Sequence, residues 1–144
     1  MFTRRKFLQT VSEAVALGAA PILLNACAAG VATYRGTTDG KTIIVPKAEA
    51  APLLQSNGVM IVRAANFPVP IIVRNLGAAG FIALSPICSH AGCEVRVMPN
   101  SFECPCHGSV YSVEGEVEDG PAPRALQRFS IEETSENFII KVKS

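Results

Sequence analysis

Cys88-Ser89-His90-Ala91-Gly92-Cys93 and Cys104-Pro105-Cys106-His107-Gly108-Ser109 are the two stretches that decide how this chain is organised. Both histidines of the 144-residue protein lie in them, and so do four of its five cysteines. Thiolate sulfur and imidazole nitrogen together are the donors of a metal centre with mixed ligands. Cys88 and His90 are separated by one residue, and Cys104 and His107 by two, so each pair can reach one centre from a tight turn. Gly92 and Gly108 let the backbone pass close to such a site, and Pro105 stiffens the second turn.

On either side of these loops the chain runs in short, β-branched apolar segments. Thr42 to Pro46, Val59 to Arg63, Ile71 to Arg74 and Phe81 to Leu84 precede them; Ser109 to Val113, Gln127 to Glu132 and Phe138 to Val142 follow. Turn residues separate the segments, among them Asn57-Gly58, Asn75-Leu76-Gly77 and Gly80. Pro46, Pro68 and Pro70 argue against long helices, and Ala48 to Leu54 has room for one short helix or turn. Many short strands with regular turns predict an antiparallel, all-β domain over residues 42–144. Ala28 to Lys41, rich in small and polar residues, is expected to be a linker. Glu114, Glu116, Glu118 and Asp119 form an acidic run, expected as a solvated loop. The chain has 13 basic and 12 acidic residues with no long Lys/Arg run, which gives no reason to expect nucleic acid as a partner. With both histidines committed to the loops, no Ser/His/Asp triad is available, and no catalytic residue is assigned.

The first 27 residues read as an address. Arg4-Arg5-Lys6-Phe7-Leu8 precedes an apolar stretch from Val15 to Leu24, too short for a membrane span of roughly 20 residues. It resembles a bacterial twin-arginine export signal, which implies export of an already folded protein. Leu24-Asn25-Ala26-Cys27 resembles a lipobox, making Cys27 a candidate lipidation site. Cleavage beside Cys27, or an uncleaved anchor, are the other readings. The expected location is therefore the periplasm or the outer face of the cytoplasmic membrane, with association through the N-terminus.

Four donors of Cys₂His₂ type also suit structural zinc. Each loop, however, carries a further cysteine, Cys93 or Cys106, that four-coordinate zinc does not need. Export places such thiols where a disulfide is stable. One metal site plus one disulfide uses all four loop cysteines.

Cys-x-His-x-x-Cys followed by Cys-Pro-Cys-His-Gly-Ser resembles the Rieske iron–sulfur family, with residues 81–126 carrying the likeness and about 42–143 compatible with it. The resemblance implies an antiparallel Rieske-type β-sandwich with a small cluster-binding subdomain, its loops within about residues 85–124. It implies one [2Fe–2S] cluster, with Cys88 and Cys104 on one iron and His90 and His107 on the other. It pairs Cys93 with Cys106 in a disulfide. Ser109 and Tyr111 stand where high-potential members donate hydrogen bonds to cluster sulfur, and Gly120-Pro121-Ala122-Pro123 resembles the loop that covers the cluster. The extra cysteine pair is that of the respiratory and photosynthetic branch. This implies a cytochrome b-type quinol-oxidising subunit as electron donor and a c-type cytochrome as acceptor. The alternative is the small subunit of an exported arsenite oxidase-like enzyme, partnered by a molybdopterin subunit. Ala91 departs from the leucine common at the tip of quinol-oxidising members and leaves that tip more open.

Overall fold

The computed structural model describes residues 30–142. Arg4, Arg5 and Cys27, on which the export and lipidation expectations rest, lie outside the described residues. Seven strands form the base: β1 (Ala32–Gly36), β2 (Thr42–Pro46), β3 (Val59–Ala64), β4 (Ile71–Asn75) and β5 (Phe81–Leu84), then β10 (Arg128–Glu133) and β11 (Asn137–Lys141). Their order across the sheet is β1-β3-β4-β5-β10-β11-β2. Between β5 and β10 the chain leaves this sheet. It builds a second one, in chain order, from β6 (Arg96–Val97), β7 (Ser101–Glu103), β8 (Val110–Ser112) and β9 (Val117–Asp119). No helix among the described residues is long and apolar enough to cross a membrane.

The seven-stranded sheet rolls until its edges approach. The Tyr34 hydroxyl of β1 donates to the Ile44 carbonyl of β2 at 3.3 Å, and Thr38 bridges Ile43. Side chains alternate across each strand. Ile43, Val45, Met60, Val62, Ile71, Val73, Phe138 and Ile140 therefore fill one core inside the roll. The short helix or turn expected over Ala48 to Leu54 is a pair of 3-10 turns, Lys47–Glu49 and Ala51–Leu54, and the second plugs this core with Leu53. Asn57 adopts a positive φ of 61°, and Gly58 runs so close to the Pro52 carbonyl that a Cβ has no room.

β4 is buried on both faces, which explains its unbroken apolar run. Ile71 and Val73 face the roll, whereas Ile72 belongs to a second core with Ile82, Leu84, Val95, Phe102, Tyr111 and Leu126. That second core fastens the small sheet to the base.

The expected linker is in part a strand. Ala32–Gly36 pairs in parallel with β3, from Ala32↔Met60 to Gly36↔Ala64. Its small and polar residues carry no strand pattern of their own, and β3 supplies the ladder partner. This is also the one parallel pairing among the described residues. The acidic run is likewise not a free loop throughout: Glu118 and Asp119 belong to β9, and Glu116 pairs with Arg128 at 2.8 Å.

The register of β2 has a direct consequence. Ile43 is fully buried and its neighbour Ile44 is 51% exposed. Ile43→Ala should cost about 2–5 kcal/mol in urea unfolding. Ile44→Ala should cost only about 0.5 kcal/mol. Equal or reversed costs would show the strand shifted by one residue.

Candidate metal centre

The two Cys/His loops share one backbone design. In the first, the Cys88 N–H donates to the Cys93 carbonyl at 2.8 Å and the Gly92 N–H to the Cys88 carbonyl at 3.0 Å. In the second, the Cys104 N–H donates to Ser109 at 2.8 Å and the Gly108 N–H to Cys104 at 3.0 Å. Gly92 and Gly108 each take φ of 76°, a conformation that costs glycine little. Residues sixteen apart are therefore equivalent: Cys88 with Cys104, Gly92 with Gly108. The histidines are not equivalent, because His107 occupies the place of Ala91 and Cys106 that of His90.

The loops face each other. Cys88 and Cys104 are free thiols, 1% and 3% exposed, and both belong to the second core. His90 and His107 are exposed at the rim. Their Nδ1 atoms lie 3.2 Å apart and their rings stand perpendicular, with centroids at 4.7 Å. Cys93 and Cys106 form a disulfide across the two loops. The Cys104 sulfur lies within 4.8 Å of both disulfide sulfurs, but those two are bonded to each other, which leaves Cys104 as the available donor. Two inward thiols and two outward imidazoles with converging Nδ1 atoms fit a [2Fe–2S] group held by sulfur on one side and nitrogen on the other.

Hydrogen bonds tune the inner half of the site. Burial pushes the Cys88 thiol up. Bonds from the Tyr111 hydroxyl, the His90 N–H, Cys104 and Ser109 outweigh it and hold the thiol below its ordinary range. That favours the thiolate, the form that binds metal. The Tyr111 hydroxyl donates to Cys88 Sγ at 3.1 Å and accepts from the Ser89 N–H at 3.2 Å. Burial and the adjacent Cys88 raise the Tyr111 pKa, so it remains a donor. Ser109 is fully buried, and its Oγ accepts from the Ala122 N–H at 3.1 Å, leaving its own proton to give elsewhere.

The segment Gly120-Pro121-Ala122-Pro123 covers the second loop closely. A Cβ on Gly120 would lie 2.6 Å from the Ser109 Cα, and φ at Gly120 is 91°. Only glycine suits both demands. The proline segment also reaches the first loop, through a contact that the sequence does not reveal. Ser89 Oγ donates to the Arg124 carbonyl at 2.6 Å and accepts from the Arg124 N–H at 3.2 Å. These residues are 35 positions apart, and a serine inside a Cys/His motif carries no sign of such a partner.

Comparison with known proteins agrees with this geometry. A cytochrome b6-f complex iron–sulfur subunit from Synechococcus sp. (strain JA-2-3B'a(2-13)) is 46% identical over 65 residues, covering 44% of this chain and 37% of that protein. The chloroplastic cytochrome b6-f complex iron–sulfur subunit of Bigelowiella natans is 40% identical over 76 residues, covering 51% of this chain and 30% of its own length. The chain thus matches only about a third of the length of these curated relatives. Among solved structures, a chain of a hyperthermophilic respiratory Complex III matches with a TM-score of 0.52 at 21% identity, covering 93% of this chain and 91% of that one, which is a likeness of fold. The Rieske [2Fe-2S] domain family matches residues 54–130, more than half of the chain and both loops. Together, these matches and the donor set show that the chain belongs to the Rieske [2Fe–2S] domain family and binds one such cluster.

Proposed function

We propose that this chain is the Rieske electron-transfer subunit of a cytochrome bc-type complex, taking electrons from quinol at a cytochrome b partner and passing them to a c-type cytochrome. The observation that carries the reading is the 3.1 Å hydrogen bond from Tyr111 to Cys88 beside two exposed histidines. The names of the relatives, iron–sulfur subunits of cytochrome b6-f complexes, support it.

In this reading Cys88 and Cys104 hold one iron and His90 and His107 the other, through Nδ1. The group so held supplies one-electron transfer. Tyr111 and Ser109 donate hydrogen bonds toward sulfur, which favours the more negative, reduced state and raises the potential. The exposed imidazoles present Nε2 to a partner, where a proton from quinol can be held while its electron moves inward. The disulfide and the proline segment keep water from the thiolate side and the two loops in register.

Export completes the proposal. The Arg4-Arg5 signal would carry the folded, loaded protein across the membrane, and Cys27 would supply a lipid anchor on its outer face. Ala91, exposed at the tip between His90 and Gly92, favours a second reading. It places no bulky apolar side chain over the imidazoles, as suits a chain that receives electrons from a molybdopterin subunit and meets no quinol.

Purification of the tagged full chain from its native membrane in mild detergent separates the two. Co-purification of a cytochrome b supports the quinol reading, and a molybdopterin subunit overturns it in favour of the second. Intact mass of the same sample reports the N-terminus: a diacylglyceryl mass on Cys27 is expected, and an unprocessed Met1 contradicts lipidation.

Tyr111→Phe should retain the cluster and lower its midpoint potential by tens of millivolts. A differential hydrogen bond of about 1 kcal/mol corresponds to ~40 mV for one electron. An unchanged potential removes the hydrogen bond from the account.

A further inference from the structure

Arg74 of β4 is the largest of the fully buried side chains, 2% exposed. It points into the core beneath the small sheet. Its two terminal nitrogens donate to the carbonyls of Met98, at 3.5 Å, and Pro99, in the turn between β6 and β7. Its Nε has no partner, and the guanidinium lies 5.9 Å from the centre of the Phe102 ring. Among the described residues no carboxylate pairs with it; the four ion pairs lie elsewhere.

A buried guanidinium cannot escape its desolvation cost by losing a proton at ordinary pH. Two carbonyls and one ring face offset only part of that cost. For packing alone, an apolar side chain of similar length would serve, and the turn carbonyls of Met98 and Pro99 could turn to water. What only the cation supplies is a fixed positive charge.

Its position makes that charge relevant to the cluster. Phe102 is the cross-strand partner of Tyr111, and the Tyr111 hydroxyl touches Cys88 Sγ. Arg74 therefore lies against Phe102, whose cross-strand partner Tyr111 touches a cysteine of the site, and with its side chain out of water its charge is weakly screened. Arg35, Arg63, Arg96, Arg124 and Arg128 are all exposed, and water and salt screen them. Adding an electron between the loops adds negative charge, which a weakly screened buried cation stabilises.

We propose that Arg74 is a potential-setting residue: an unpaired guanidinium behind Phe102 and Tyr111 that favours the reduced cluster from outside the ligand loops. The inference rests on the cluster being held between the two loops.

Its test is the midpoint potential of the cluster-loaded full chain for wild type, Arg74→Met and Arg74→Gln, each at low and high salt. Gln is neutral but polar, its amide nitrogen standing where the Arg74 Nε does, and keeps the measurement accessible if Met prevents folding. Both neutral variants should titrate below wild type by a similar amount. The difference should persist at high salt, and the EPR line shape should not change, because no group on the cluster is altered. Wild-type potential in the neutral variants overturns the proposal. So does wild-type potential in Gln alone, which would show that a neutral polar side chain suffices. A difference that vanishes at high salt, or an altered EPR line shape, also overturns it. A wild-type protein without a Rieske EPR signal would instead overturn the cluster assignment, before any variant is compared.

Discussion

The hydrogen bond from the Tyr111 hydroxyl to Cys88 Sγ is the contact on which the rest of the site depends. Tyr111 belongs to the strand that follows the second loop, and Cys88 opens the first. The same oxygen accepts the Ser89 N–H, so one buried side chain fixes the first loop at two points. Because Tyr111 is fully buried, its ring cannot move without disturbing the second core. The orientation of the first loop is thus set by apolar packing beneath the site.

Two short loops could not hold this arrangement alone, since neither has an apolar interior. Four links run across them or onto them: Tyr111 to the first loop, the Cys93–Cys106 disulfide, Ser89 to Arg124, and Ser109 to Ala122. The last two bring the proline segment against both loops. The base sheet contributes the platform. β4 and β5 turn alternate side chains toward the roll and toward the small sheet, so a shift in the base would be felt at Cys88 and Cys104. Thiols inside and imidazoles outside follow from this layering. The sulfur side of the site is buried, and the nitrogen side is open to solvent.

The pairing of the two Cys/His loops was legible in the sequence because cysteine and histidine are rare here and clustered. The apolar strands were legible because Thr42 to Pro46, Val59 to Arg63 and Ile71 to Arg74 are β-branched runs between turn residues. β6, β7 and β9 were not. Arg96–Val97, Ser101–Glu103 and Val117–Asp119 are two or three residues long and mostly polar, too short to show a period. β1 was missed for another reason: Ala32–Gly36 becomes a strand only because β3 offers it an edge. Ser89, Arg124 and Arg74 were invisible as site residues, since each acts through a partner far away in sequence. The proline segment was recognised from family likeness, but its demand for glycine at position 120 follows from the close approach to Ser109.

The proposed ligand set puts two thiolates on one side of the cluster and His90 and His107 on the other. Pulsed EPR of the dithionite-reduced wild-type chain addresses it most directly, because electron spin on the reduced iron couples to directly bound nitrogen. Strong couplings from two imidazole nitrogens, one from each histidine, are the expected result. Absence of nitrogen coupling, or coupling from a single histidine, would contradict it.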